Sequence, residues 1–198
     1  MKEKILNTSR ELFLNLGFKS VTMDDIAEEL GISKKTIYTH FKNKTDLVKE
    51  VTLSVFEYIS KGIDVICSRE SNPIKEFFEI KRFVMESLND EKSAPQYQLQ
   101  KYYPEIYKSL KKKQFEVMQE CVKENLTKGI SLHLYRENIN IEFVSRIYFH
   151  GILGIKDQDV FPLNYFSINE LMNYYLEYHL RGICSEKGIK ELENQLKK

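Results

Sequence analysis

The chain has 198 residues, enough for one sizeable core or for a small domain joined to a larger one. A content of 42% hydrophobic and 30% charged residues excludes a disordered polymer, and a formal net charge of +1 excludes a polycation. Any affinity for nucleic acid must therefore come from where the charge sits.

Strand signals are nearly absent, whereas helical periodicity recurs along the chain. From Lys2 to Leu16, the residues Ile5, Ser9, Leu12 and Leu16 share a face widened by Leu6 and Phe13, and Gly17 follows as a C-terminal cap. Thr22 precedes the run Met23 to Leu30 and can cap it, with Asp24 and Asp25 favouring the positive end of that helix. Gly31 ends it.

Ser33 caps a short helix from Lys34 to about Phe41. Asn43 caps a long one whose apolar positions include Leu47, Val51, Val55, Ile59 and Ile63. Pro73 opens the next helix, Asn89 to Pro95 reads as a polar loop, and Pro104 opens a helix that ends near Gly129. Ile141 to about Ile155 is markedly apolar. Asp157 to Ser167 interrupts it, Ile168 to Ile183 is the last long helix, and a charged tail follows Gly188. The expectation is an all-α chain of about nine helices.

The start of the chain runs directly into an amphipathic pattern without the apolar core of a signal peptide, and no stretch has the apolar length needed to span a bilayer. Cys67, Cys121 and Cys184 are far apart and form no Cys-x-x-Cys pair, which argues against a zinc site or a disulfide framework. A cytoplasmic location is expected. His133, His150 and His179 lack paired metal-ligand spacing, and nothing resembles a nucleophile elbow or a phosphate loop. No catalytic residue, cofactor or metal is read here, and an enzyme is disfavoured. The basic run Leu110-Lys111-Lys112-Lys113 sits beside Glu105 and Glu116, as a solvated helix face does rather than a membrane-binding one.

The most informative stretch is Val21 to Lys44, VTMDDIAEELGISKKTIYTHFKNK. Two short helices are joined by a tight turn at Gly31, where a positive φ suits glycine, and Ala27 lets them cross closely. That is the layout of a helix-turn-helix, whose second helix enters the major groove. Lys34, Lys35, Lys42 and Lys44 fall in a run without acids, and His40 adds partial charge. Ser33, Thr36, Tyr38 and Thr39 offer hydrogen-bonding groups for phosphates and base edges.

The segments TMDDIA (22–27), GISKKTIYTHF (31–41) and KTDL (44–47) closely resemble the tetracycline-repressor (TetR) family over about residues 4–50. The resemblance implies a DNA-binding domain at 1–48 and a ligand-binding and dimerisation domain at 49–198. It implies DNA contacts at Thr22, Ser33, Lys34, Lys35, Thr36, Tyr38, Thr39, His40 and Lys44. Of these, Tyr38, His40 and Lys44 would face mainly phosphates, with Lys34, Lys35 and Thr39 nearest the bases. Phe41 and Leu47 would be core. The implied partner is a palindromic double-stranded DNA operator, bound by a homodimer and released by a small-molecule inducer. An activator of the same fold, or a helical protein-interaction module, is the alternative.

In the second domain, Phe143, Ile147, Gly151, Gly154, Leu171, Tyr175 and Tyr178 are candidates for the dimer interface, the glycines permitting close helix approach. The middle helices are rich in aromatic and sulfur side chains. A cavity lined by Phe77, Phe78, Tyr103, Tyr107, Met118 and Cys121 would suit an apolar or amphipathic effector.

Overall fold

The computed structural model describes residues 1–69, 71–91 and 94–197. Among them the chain forms ten α-helices and no strand. They are α1 (Lys2–Leu16), α2 (Met23–Leu30), α3 (Lys34–Tyr38), α4 (Lys44–Cys67), α5 (Pro73–Ser87), α6 (Pro95–Tyr102), α7 (Pro104–Ser131), α8 (Ile141–Gly154), α9 (Ile168–Ile183) and α10 (Glu186–Leu196). A single isolated bridge pairs Tyr135 with Cys184.

The helix starts follow their caps. Thr22 Oγ1 accepts from Asp25 N at 3.1 Å while Thr22 N donates to the Asp25 carboxylate at 2.7 Å, a reciprocal pair that satisfies two amides at the head of α2. The side chains of Ser33, Asn43, Asn72, Asn140, Ser167 and Ser185 accept backbone amides at the starts of α3, α4, α5, α8, α9 and α10.

Three expectations are corrected. Leu16 is exposed, because Leu14 rather than Leu16 turns with Ile5, Ser9 and Phe13 towards the core. A helix, α6, occupies Pro95–Tyr102 after a 3-10 turn at Asn89–Glu91; its eight residues are mostly polar or aromatic, and a lone Leu99 gives too little apolar periodicity to announce it. The charged tail is α10, held by the Ser185 cap and by Leu192, which is fully buried.

Two main clusters of buried side chains result. The first joins α1 to α4 through Ile5, Phe13, Ile26, Ile37, Phe41 and Leu47, and reaches Leu99 of α6 and Leu110 of α7. The second joins α5, α7, α8, α9 and α10 through residues such as Phe77, Leu126, Tyr148, Leu176 and Leu192. Helix α4 runs from one region to the other. At 24 residues it is about 36 Å long.

Candidate DNA-binding surface and its regulatory domain

The turn between α2 and α3 depends on Gly31, which has φ +62° in the left-handed region. A β-carbon there would meet nothing within 4 Å, so it is the backbone angle rather than space that calls for glycine. Ile37 and Phe41 seat α3 on the first cluster, at 0% and 1% exposure. The opposite side faces solvent with Ser33, Lys34, Lys35, Tyr38, Thr39 and His40. The structure thus exposes six of the nine predicted contacts on α3 and its two ends, while giving several of the nine work inside the chain.

The Thr22 hydroxyl serves its capping box, and Ser33 Oγ lies 2.9 Å from Thr36 Oγ1 while accepting Thr36 N. Thr39 Oγ1 donates to the Thr36 carbonyl at 2.7 Å. Lys34 Nζ reaches Asp24 of α2 at 2.7 Å, an exposed ion pair that a phosphate must displace. Lys44 is half-buried. Its Nζ lies 3.4 Å from the Lys19 carbonyl, and burial lowers its pKa against the opposing pull of Asp25. It ties the loop before α2 to the start of α4. Lys35, Tyr38 and His40 are the exposed groups best placed outward.

At the junction of the two clusters lies an apolar cavity of about 180 Å³. An engineered void of about 150 Å³ accepts benzene, so this one has room for a small apolar molecule. Of the candidate pocket residues, Phe77, Met118 and Cys121 are in its lining. Phe78, Tyr103 and Tyr107 lie outside its lining: the two tyrosines pack against the first cluster, and Phe78 against the second. Sequence reasoning missed the wall from α4, where Val51, Val55, Ile59 and Ile63 repeat every four residues. It also missed Phe13 of α1 and Phe18 of the turn that follows, by which the N-terminal region itself helps close the cavity. Lys156, largely buried and ion-paired with Glu91, and Lys81, bonded to Asn169, supply charge at the wall.

On α8 and α9 the candidates for the dimer interface divide. Phe143, Ile147 and Tyr178 are 63%, 45% and 78% exposed, and Tyr174, not anticipated, is 63% exposed one turn before Tyr178. Leu171 is corrected to core, since it is buried against Met85, Ile168 and Met172. Tyr175 is half-buried and donates to the carbonyls of Ile147 or Tyr148, each 3.0 Å away. A β-carbon on Gly151 would lie 2.1 Å from the Tyr175 oxygen, so that glycine makes room for its own chain rather than for a second one. Gly154 is exposed, with nothing within 4 Å of its would-be β-carbon.

Among the described residues no cluster of three or more metal-ligating side chains occurs, and no helix is long and apolar enough to cross a membrane.

Residues 5–51 match the family model for bacterial regulatory proteins of the tetR family. The chain is 47% identical over 57 residues to the HTH-type transcriptional regulator YerO of Bacillus subtilis, a match covering 29% of this chain and 18% of YerO. It is 33% identical over 63 residues to IcaR of Staphylococcus aureus, the HTH-type negative transcriptional regulator of the biofilm operon icaADBC, covering 32% of this chain and 34% of IcaR. The sequence matches thus span well under two thirds of these relatives. Over nearly the whole chain the fold is similar to FadR of Bacillus subtilis, a transcriptional regulator solved in complex with stearoyl-CoA. That comparison has a TM-score of 0.68 at 18% identity, covering 92% of this chain and 100% of FadR.

Proposed function

The chain belongs to the tetR family of bacterial regulatory proteins, and from that premise we propose that it is a transcription repressor that binds a palindromic operator as a homodimer and leaves it when a small molecule enters the cavity. The observation that carries the reading is the solvent-facing group Lys35, Tyr38, Thr39 and His40, on a short helix and the turn that ends it, seated by Ile37 and Phe41. Such a helix presents donors to phosphates and base edges in the major groove. Repression is favoured over activation by the similarity to IcaR, a negative regulator.

Two copies are needed because one half-site gives few contacts. The exposed apolar residues Phe143, Ile147, Tyr174 and Tyr178 supply a surface for a four-helix packing of α8 and α9 with their equivalents. The effector is apolar or amphipathic, in keeping with the lining of the cavity. Its entry pushes on α4 and on Phe13 and Phe18, which are attached to the helices that seat α3. The two recognition helices then lose the spacing that matches adjacent grooves.

Selection of bound duplexes from a random pool tests the reading. A recovered palindrome with half-sites about 34–36 Å apart supports it. Recovery of no sequence above background rejects it.

A further inference from the structure

Two thiols meet where α4 ends. Cys67 is the last residue of α4 and Cys121 lies in the middle of α7, 54 residues later, yet their sulfur atoms are 3.2 Å apart and both are free. A disulfide needs about 2.05 Å, so the sulfurs need to close by only about 1 Å. We propose that Cys67 and Cys121 form a dithiol that a hydroperoxide converts to an intramolecular disulfide, fastening the lower end of α4 to α7.

The two sulfurs are not equivalent. Cys67 is the less buried, and the hydrogen bond from the Cys121 thiol favours its thiolate, while that same contact and burial hold Cys121 protonated. Glu76, Asp64 and Glu124 oppose ionisation at Cys67 without reversing that preference. Cys67 is therefore the attacking sulfur. Its thiolate takes an oxygen from the hydroperoxide, and the O–O bond breaks. The alkoxide leaves, collects the proton Cys67 gave up and departs as the alcohol. The Cys121 sulfur then attacks the Cys67 sulfenic acid. The S–O bond breaks, hydroxide leaves, and the Cys121 proton makes it water. In total the two thiols lose two electrons and two protons, and the peroxide becomes one alcohol and one water.

The placement makes the bond consequential. Cys121 lines the cavity, and α4 supplies the cavity wall and the core under α3. A tie at Cys67 fixes the far end of that helix, so its effect on DNA rests on the regulator reading while its formation does not.

The test treats the reduced full-length protein with cumene hydroperoxide, blocks remaining thiols under denaturing conditions, and maps peptides without reduction. The expected product links Cys67 to Cys121 within one chain, leaves Cys184 to be alkylated, and reverts with dithiothreitol. Neither Cys67→Ser nor Cys121→Ser gives it. Operator affinity, read on the same samples, changes at least fivefold on oxidation in the wild type and in neither variant. Oxidation of Cys67 to sulfinic acid without a link, or links only between chains, overturns the dithiol. A link without a change in affinity overturns the switch. A reduced protein that binds no duplex removes the regulator reading, and the peptide map then decides the dithiol by itself.

Discussion

In residues 1–51 the buried side chains of short, capped helices fill the space between them, and the chemistry lies on the outside as a row of polar and cationic groups. In the helices behind them the arrangement is reversed. The feature proposed to bind a ligand is a void within the packing, and the outer face of α8 and α9 carries the exposed apolar side chains Phe143, Ile147, Tyr174 and Tyr178. On the proposed reading, the first region holds one shape for a duplex to dock on. The second has room to change shape and offers exposed apolar side chains to a second copy. A regulator needs both, joined by an element that belongs to each; α4 contributes Leu47, Val48 and Val51 to the first core and Val55, Ile59 and Ile63 to the cavity wall.

The contrast breaks most visibly at the apolar face. Phe143→Glu combined with Tyr178→Glu places carboxylates at positions already exposed in one chain, so folding should survive while pairing fails. Sedimentation should give a monomer, and operator affinity should drop at least a hundredfold, about 3 kcal/mol. A variant that stays dimeric would move the interface elsewhere.

An effect of similar size probes the packing behind the cavity. His179 is enclosed by Phe77, Tyr148 and Tyr175, and burial pushes its pKa down to about 4. The unfolded chain, with a histidine pKa near 6.5, takes up the proton first. Stability attributable to this group is therefore lost as pH falls from about 6.5 to about 4, by about 3 kcal/mol. Buried Glu76, whose pKa burial raises, acts with the opposite sign, so the informative quantity is a difference between proteins. Between pH 7 and pH 4, denaturant melts should show the wild type losing about 3 kcal/mol more than His179→Gln. Equal losses would show that the histidine charges without penalty in place.

The least of the three effects sharpens the account of the rigid region. Gly31→Ala should destabilise the N-terminal helices by about 1–2 kcal/mol through its backbone angle alone, and Gly31→Asn by less. Thermal melts that rank Asn below Ala would argue against a left-handed turn in solution.

The rigid region was the more legible one because its signals are local. Thr22, Ser33 and Asn43 cap within three residues, and Gly31 marks the turn by its own backbone. The acid-free run from Lys34 to Lys44 is visible without knowing any long-range contact. Local signals did not reveal that Lys34 is spoken for by Asp24, ten residues away, or that Lys44 reaches back to Lys19.

The cavity was harder because a void is defined by side chains that fail to meet. The apolar spacing of α4 reads the same whether it faces a neighbour or an empty space. Tyr103 and Tyr107 looked as suitable as Met118 until the path of α7 put them against the N-terminal core. Leu171 and Gly151 misled for a related reason: helical spacing says which residues share a face, but not whether that face meets its own chain.

The central claim is that the exposed side of α3 docks on a duplex, twice. Fluorescence anisotropy of a selected operator, titrated with protein between about 50 and 200 mM salt, tests it most directly. The account predicts tight binding that weakens steeply with salt. It also predicts a Lys35→Gln protein whose log–log slope is shallower by about two, because each of the two chains then neutralises one phosphate fewer. A folded protein that leaves every duplex unbound at the lowest salt contradicts it.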